Sequence, residues 1–458
     1  MGVTLGAVIF LCGCMTYVVS TGKTTIAFSK NDVRYVTLYV NVLNPLDTCA
    51  SVNISAPGVG TFATRFELVE PKNVTVIELN NMEFEMTETG KTDKGILIQS
   101  NISEIIIIGL SSADKSAAMF YARNATQHGS EYVTLTHCEE DDICQFAIIA
   151  GEDNTSIEML FPEYLSGSVL FDGTEYGPGD VMDITLRESQ TFQIQSTFDL
   201  SGVNILSTNG NQFSVLSGSA FTGVQTSTTR EHLADMVPPV EAWGNQFILV
   251  RRNLTDYLRD EVRFVAAGSG ANISIFGCGP VLNRSIPGFQ IFFYRMTCER
   301  VHIISDEPVL VAHFPVGIYH GDPAMFFPTP IHHYASEYFV YIPPGFRECA
   351  VAVVMETIHT STFDLTRFTD SFTDWNEIEH SVYSTAWLKN MKSGVLEITH
   401  TSPFGGHVVC ERDFAMIALT IGLGNVTLNG PQLYSPTAIT DSSSTQSVYE
   451  TSISTERP

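Results

Sequence analysis

Short runs in which apolar and polar residues alternate recur along the whole chain, and glycines and prolines separate them. Val, Ile, Thr, Phe and Tyr dominate these runs, and such residues favour pleated strands that are buried on one face. No apolar pattern with the period of an α-helix continues beyond two turns. The pattern therefore predicts an all-β fold made of many short strands.

A strand pattern that opens with an aromatic residue occurs four times, at positions 35, 132, 247 and 338, which are 97, 115 and 91 residues apart. A second pattern ends each segment as two apolar runs around a polar turn, most clearly at Asp306-Glu307-Pro308. About 100 residues with about seven short strands are typical of a β-sandwich. A four-bladed propeller is the alternative, but one blade needs only about 40–50 residues. We expect about four tandem β-sandwich-like units, each ending in a hairpin.

The spacing places these units at residues 21–125, 126–240, 241–332 and 333–430. The segment 431–458 differs in composition, because 12 of the 24 residues from Ser435 to Pro458 are Ser or Thr. Such a segment cannot bury a core, so it is expected to be a disordered tail that could carry O-linked sugars. A fragment or splice form of a longer mosaic protein would account for such an ending.

The first 20 residues contain no charged side chain, and Leu5 to Val19 form an apolar run. This run is shorter than the ~20 apolar residues that span a bilayer, and it is typical of a secretory signal with cleavage near Ser20. A buried N-terminal strand is the alternative. We therefore expect residues 1–20 to be a signal peptide, the protein to be secreted, and this chain to have no membrane span.

N-glycosylation sequons follow the predicted signal in unusual number, and a secreted chain with many sequons is expected to be a glycoprotein. The candidate sites are Asn53, Asn73, Asn101, Asn124, Asn154, Asn253, Asn272, Asn283 and Asn425.

Seven cysteines remain after removal of Cys12 and Cys14, and an exported chain should oxidise most of them. We expect the pairs Cys138–Cys144, Cys278–Cys298 and Cys349–Cys410, because each joins two β-type runs within one unit. Cys49 would then lie outside these pairs, either buried or bonded to another chain in a covalent dimer. Seven cysteines allow many other pairings.

Acidic residues outnumber basic residues by 50 to 24, and the formal net charge is −26. Such a charge repels nucleic acids and anionic membranes, and no basic stripe is present. Four carboxylates, Glu139, Glu140, Asp141 and Asp142, lie between two cysteines and are a candidate Ca²⁺ site. A solvated acidic loop is the alternative. No other cofactor is expected.

Histidines cluster within a short stretch and could bind a transition metal. The residues are His313, His320, Asp322, His332 and His333. Their spacing matches no known ligand pattern, so surface and turn histidines are the simpler interpretation. No catalytic motif is present either, since the chain contains no H-E-x-x-H sequence and no G-x-S-x-G sequence.

An ordered set of short motifs gives a family resemblance over roughly residues 22–425. The motifs are Asp199-Leu200-Ser201-Gly202, Ser217-Gly218, Glu231-His232-Leu233, Pro238-Pro239, Trp243-Gly244, Pro308-Val309-Leu310-Val311 and Asp322-Pro323-Ala324-Met325. This set resembles the N-terminal domain family of IgGFc-binding protein. The resemblance implies an extracellular, mucus- or surface-associated glycoprotein module. It carries over no binding residue.

The sequence therefore favours a binding or adhesion module, not an enzyme, with extracellular proteins or glycoproteins as partners. One alternative is a structural component of mucus or matrix without a discrete ligand. A secreted hydrolase is the other alternative, and it would require a catalytic set assembled only by the fold.

Overall fold

The computed structural model describes residues 21–225, 229–252, 258–318 and 321–422. The predicted signal peptide, the Ser/Thr-rich tail, Asn253, His320 and Asn425 lie outside these residues. The described chain is all-β, as predicted, and its strands form antiparallel sheets. The described helices are short: α1 (Asn81–Phe84) and 3₁₀ helices at Ala125–Gln127, Val240–Ala242, Ile331–His333, Thr357–Thr362 and Leu365–Arg367.

The strands are divided here in chain order into four groups, which follow the predicted units and are named the first to fourth sandwich. The first contains β1 (Gly22–Ile26), β2 (Thr37–Asn44), β3 (Ala50–Ser55), β4 (Arg65–Val69), β5 (Asn73–Asn80), β6 (Gly90–Thr92), β7 (Ile96–Ser100), β8 (Ile106–Ala113) and β9 (Ser116–Ala122). The second contains β10 (Glu131–Val133), β11 (Cys144–Ala150), β12 (Thr155–Leu160), β13 (Val169–Phe171), β14 (Thr174–Tyr176), β15 (Val181–Leu186), β16 (Thr191–Ser196), β17 (Asn204–Ser207), β18 (Phe213–Thr222) and β19 (Glu231–Met236).

The last two groups contain fewer strands, and each includes one long strand. The third sandwich contains β20 (Gly244–Val250), β21 (Glu261–Ala266), β22 (Ala271–Phe276), β23 (Leu282–Ile286), β24 (Ile291–Arg295) and β25 (Arg300–Phe314). The fourth contains β26 (Ala335–Ile342), β27 (Glu348–Glu356), β28 (Asn376–Glu377), β29 (Tyr383–Leu388), β30 (Gly394–Arg412) and β31 (Ala415–Thr420).

The first two sandwiches have the same strand order. The sheets of the first are β1-β7-β3-β4 and β5-β2-β8-β9, and those of the second are β10-β17-β12-β15 and β16-β11-β18-β19. Two additions distinguish them: the hairpin β13-β14, and β6, which pairs with the edge strand β16. Because β6 lies at residues 90–92, its pairing with β16 extends a sheet of the second sandwich beyond the predicted unit limit at residue 125.

The long strands of the third and fourth sandwiches pass from one sheet layer to the other. The first half of β25 pairs with β20 and β22, and its last residues pair with β21. In the same way β30 pairs first with β26 and then with β27. One long strand therefore replaces the two separate strands found at this place in the first two sandwiches.

In the first three units, the two apolar runs of the closing pattern do not pair with each other as a hairpin, so that prediction is wrong. Asp306-Glu307-Pro308 lies inside the continuous strand β25 and makes no turn back. The corresponding pairs β7 and β8, and β17 and β18, belong to different sheets. Two apolar runs around a short polar break fit a strand that changes layer as well as they fit a hairpin, so the pattern alone misleads. Only the fourth signature forms a hairpin, between β30 and β31.

The opening aromatic residues are not equivalent in all four units. Tyr132 and Tyr338 lie buried in the first strands of their sandwiches, and their hydroxyls donate to the backbone oxygens of Phe213 at 2.7 Å and Phe404 at 2.9 Å. Tyr35 instead lies before β2 with 88% of its surface exposed. The first strand of that sandwich is β1, which contains no aromatic residue.

Apolar side chains join the four sandwiches into one body. Ala147 and Ile149 of the second pack into the core of the first, and Phe314 of the third packs into the core of the second. Ile248 of the third packs with the fourth, and Met119 of the first also packs with the fourth. Each sandwich therefore packs on the next, and the fourth returns to the first.

Candidate functional site

The sequon asparagines that the structure describes all lie at least partly at the surface. Asn73, Asn154, Asn272 and Asn283 are exposed, whereas Asn53, Asn101 and Asn124 are half-buried. Asn124 also caps a 3₁₀ helix, since its Oδ1 accepts the backbone N–H of Thr126 at 3.1 Å. Glycosylation at these positions stays a prediction.

Two sequons face each other on the hairpin β22-β23. Asn272 pairs across the strands with Ser285, and Ser274 pairs with Asn283. The asparagine of each sequon is therefore opposite the serine of the other, and all four side chains lie on one face. The Ser274 hydroxyl donates to Oδ1 of Asn283 at 2.6 Å. Glycans at both sites would cover this outer face of the third sandwich.

The six cysteines expected to form disulfides are brought together in the proposed pairs. Cys138 and Cys144 are six residues apart and their bond closes a short loop. Within the third sandwich, Cys278, which follows β22, bonds to Cys298, which follows β24. Cys349–Cys410 links facing positions on β27 and β30. The thiol of Cys49 lies 3.8 Å from Oε2 of Glu70. A covalent dimer through Cys49 stays a prediction.

The acidic loop between Cys138 and Cys144 does not gather its four carboxylates. Asp142 points inward, where Arg230 forms an ion pair with Oδ1 and the Thr222 hydroxyl donates to Oδ2 at 2.8 Å. Among the described residues, no group of three or more potential metal ligands occurs. Asp142 thus stabilises the loop against β18 and the segment before β19.

His313 lies on a strand of the repeat pattern, but its interpretation as a surface histidine is wrong. His313 is fully buried on β25, and its Nε2 lies 2.8 Å from Oδ2 of Asp260. Its ring packs against Phe326 and against His407 of the fourth sandwich. The rings of His332 and His333 contact each other at a tilt of 57° in a 3₁₀ helix. The sequence cluster therefore divides between a buried joint and a short helix.

The first motif of the family resemblance lies where the second and third sandwiches meet. Asp199 Oδ1 accepts the backbone N–H of Ser201 at 3.0 Å and the Thr136 hydroxyl at 2.7 Å, and its Oδ2 accepts from Arg263 at 2.7 Å. Burial alone would raise the pKa of Asp199, but Arg263 and these hydrogen bonds hold it below its usual value. A half-buried charge paired in this way fixes one sandwich against the other.

Gly202 completes this motif for a steric reason. Its φ of +86° is one that residues with side chains rarely adopt. A Cβ atom there would lie 2.0 Å from the Tyr164 hydroxyl and 2.5 Å from the backbone oxygen of Phe289 in the third sandwich. The glycine therefore permits the close approach of the two sandwiches.

Arg263 also contacts His137 and Glu261 in the same joint. Its Nε donates to Glu261 Oε1 at 2.9 Å, and a terminal nitrogen approaches Nδ1 of His137. Burial, and next the positive charge of Arg263, lower the pKa of His137 to about 4. His137 is therefore neutral in the folded protein near pH 7 and can accept from the guanidinium.

The second joint is centred on Glu231, in another motif of the set. Its Oε1 accepts the backbone N–H of Ala117 in the first sandwich at 2.7 Å and of His232 at 3.0 Å. Its Oε2 accepts the N–H of Met416 in the fourth sandwich at 2.9 Å. One buried carboxyl group thus holds together edge strands of three sandwiches. Burial raises its pKa well above the usual value, although these hydrogen bonds oppose the shift.

Asp235 has a similar role further along the same strand. Its Oδ2 accepts the N–H of Phe327 at 2.8 Å, and its Oδ1 accepts that of Met236. Burial raises the pKa of Asp235 to about 7, against the effect of these bonds. This contact links β19 with the segment that follows the third sandwich.

The proline and tryptophan motifs form one packed corner. The Trp243 indole Nε1 donates to the backbone oxygen of Pro238 at 3.1 Å. A Cβ atom on Gly244 would lie 2.3 Å from the Cβ of Pro330, so only glycine fits. The corner leads the chain from the second sandwich into β20.

The third and fourth sandwiches share a further set of charges. Arg252 donates to Glu348 Oε2 and to Glu411 Oε1, both at 3.2 Å. Glu411 Oε2 in turn accepts the backbone N–H of Ile318 at 2.9 Å. Sequence reasoning missed Arg252, Glu348 and Glu411, because the partners in these contacts lie more than 90 residues apart in the chain.

An open groove of about 390 Å³ lies on the fourth sandwich. Residues 360–366 and 372–375 line it, including the partly exposed rings of Phe372 and Trp375.

Within the region of the chain that the structure describes, no helix is both long and apolar enough to cross a membrane.

Comparison with known proteins gives one family. A family model described as "IgGFc binding protein" matches residues 116–410, which include every motif of the set. The human IgGFc-binding protein is 24% identical over 385 residues, which is 82% of this chain but only 7% of that protein. A solved structure titled as a Ca²⁺-stabilised adhesin by which an Antarctic bacterium binds ice is 6% identical, over 88% of this chain and 99% of that one. Its TM-score is 0.13, so it supports no argument about fold. Because the family model matches more than half of this chain, the chain belongs to the IgGFc-binding protein family.

Proposed function

We propose that this chain is a secreted glycoprotein module that binds extracellular proteins and catalyses no reaction. Membership of the IgGFc-binding protein family supports the binding function, because the human relative is named for that activity. The chain spans only a small fraction of that relative, so the ligand belongs to the proposal. We infer that the Fc region of immunoglobulin G is the first ligand to test.

The use of the buried charged residues supports a scaffold over an enzyme. Glu231 and the pair Asp260 and His313 are buried, Asp199 is half-buried, and all of them hold sandwiches or strands together. An enzyme would place such groups in a cleft open to a substrate. Here they rigidify one body, and a rigid body loses little conformational entropy when its outer surface binds a partner.

The experiment is a direct binding measurement with the glycosylated chain secreted from mammalian cells. Immobilised Fc should bind it saturably, and Fab from the same antibody should not bind. The reduced and alkylated chain is the matched control for folding, and it should lose the binding.

The absence of saturable binding to Fc would overturn the Fc assignment. Disulfide-linked multimers on a non-reducing gel, without any saturable partner in native mucus, would favour the structural alternative. A secreted chain without N-glycans would overturn the assignment as a glycoprotein.

A further inference from the structure

Strand β4 forms the edge of its sheet and carries an exposed aromatic residue. Phe66 is 77% exposed and Leu68, two positions later on the same face, is 46% exposed. In the described region of the chain β4 pairs only with β3, so its other edge is open. An apolar edge strand is a place where a second chain can add, and proteins usually cover or charge such edges.

The residue directly across from Phe66 is Asn53, the asparagine of a sequon. The register pairs Asn53 of β3 with Phe66 on one side and with Gln99 of β7 on the other. Side chains that face each other in this way lie on the same face of a sheet, with Cβ atoms about 4.5–5.5 Å apart. The apolar ring and the glycosylation site are therefore immediate neighbours.

Asn53 is half-buried on the more exposed face of β3, the face that also carries Phe66. Its Oδ1 is enclosed without a hydrogen-bond partner in the described structure. Nδ2 is the atom that N-glycosylation modifies. In that reaction it loses one proton and bonds to C1 of the sugar of a lipid diphosphate donor, and the lipid diphosphate leaves.

We propose that the exposed ring of Phe66 is the platform on which the first N-acetylglucosamine of an Asn53 glycan rests. The pyranose ring has an apolar face of C–H groups, which packs on an aromatic ring and removes apolar surface of both from water. The sugar thereby covers the exposed apolar face of β4 at Phe66 with a group carried by its own chain. This proposal rests on the secretion and glycosylation proposed above.

Other sequons provide matched controls without an aromatic neighbour. Asn73 pairs with Asn44, and Asn272 pairs with Ser285. Both lie on paired strands, as Asn53 does, but they are exposed whereas Asn53 is half-buried, so each site is compared with its own rate in the wild type.

The test is the rate at which peptide N-glycosidase releases each glycan from the folded, secreted protein. Mass spectrometry of peptides reports each site separately, because release converts the asparagine to aspartate. We expect Phe66→Ala to raise the initial rate at Asn53 about five-fold, since a sugar held on the ring is less accessible. Phe66→Tyr keeps the ring and should stay close to wild type, and the rates at Asn73 and Asn272 should not change.

Three results would overturn the proposal. They are an unchanged rate at Asn53 in Phe66→Ala, an equal rise at all three sites, or a secreted wild type modified at Asn73 and Asn272 but not at Asn53. A chain without glycans at any site would overturn the proposed glycoprotein as well, so the two failures are distinguishable.

Discussion

Glu231 shows how much of this structure depends on single buried groups. Its carboxyl group accepts backbone N–H groups from three sandwiches, and these donors have no water to replace it. Removing an acceptor leaves each buried donor with the full cost of its lost solvation. The arrangement therefore makes a sharp prediction for one side chain.

We expect Glu231→Ala to lower the free energy of unfolding by about 3–5 kcal/mol. Glu231→Gln keeps the shape and one acceptor oxygen, so it should cost less than the alanine variant. Glu78→Ala is the matched control, because Glu78 is exposed on β5 and should change stability by less than about 0.5 kcal/mol. Urea unfolding measures all three. An alanine variant as stable as the control would show that Glu231 does not join the sandwiches.

The role of Glu231 could not be predicted from the sequence. Its partners are backbone N–H groups 114 and 185 residues away, and any residue type except proline could supply them. Asp199 left a stronger signal, because its carboxylate accepts hydrogen bonds from Ser201 of its own motif. The sequence therefore indicated that the motifs matter but not that they form joints.

At the scale of elements, alternating strands and local disulfides could be predicted, whereas the connections between sheets could not. Cys138 and Cys144 are six residues apart around a polar turn, so their pairing follows from local spacing. The change of layer within β25 depends on which strands lie on each side of it. The unit limits at 125, 240 and 332 stay a proposal, which the shared strand order of the first two sandwiches supports.

The disulfides differ in the length of chain that they close, and their removal should differ accordingly. Cys349–Cys410 spans 61 residues and Cys138–Cys144 spans 6. In the chain-entropy account, their loss should cost about 4 kcal/mol and about 2 kcal/mol respectively. The double variants C349A/C410A and C138A/C144A, compared by urea unfolding, measure this difference. Equal losses, or a larger loss for the short loop, would contradict the account.

At the scale of the whole molecule, buried neutral histidines should make the protein sensitive to acid. Burial lowers the pKa of His128, His137, His232 and His302 to about 4, from an ordinary value near 6.5. The unfolded chain binds protons at these groups below about pH 6.5, but the folded chain does not. Their stabilisation is therefore present above pH 6.5 and is lost as the pH falls towards 4.

Asp235 acts in the opposite direction. Burial raises the pKa of Asp235 to about 7, whereas the pKa in the unfolded chain is near 4. Its contribution to the free energy of unfolding is therefore fully present below pH 4 and is lost as the pH rises to 7. Glu231 acts in the same direction as Asp235. Four histidines, at about 3 kcal/mol each, outweigh Asp235 alone, at about 4 kcal/mol.

We therefore expect the urea midpoint of unfolding to fall between pH 7 and pH 4.5. His380→Gln, which removes an exposed histidine, should leave this slope unchanged. A midpoint that is constant, or that rises on acidification, would contradict the assignment of the histidines as neutral and buried.

The central claim is that the motif residues of the family join four β-sandwiches into one cooperative body. Differential scanning calorimetry of the secreted chain tests it most directly, because independent sandwiches would melt separately. The account predicts one transition, with a calorimetric enthalpy close to the van't Hoff enthalpy, and separate transitions in Glu231→Ala. Two or more independent transitions in the wild type, or a single unchanged transition in Glu231→Ala, would contradict it.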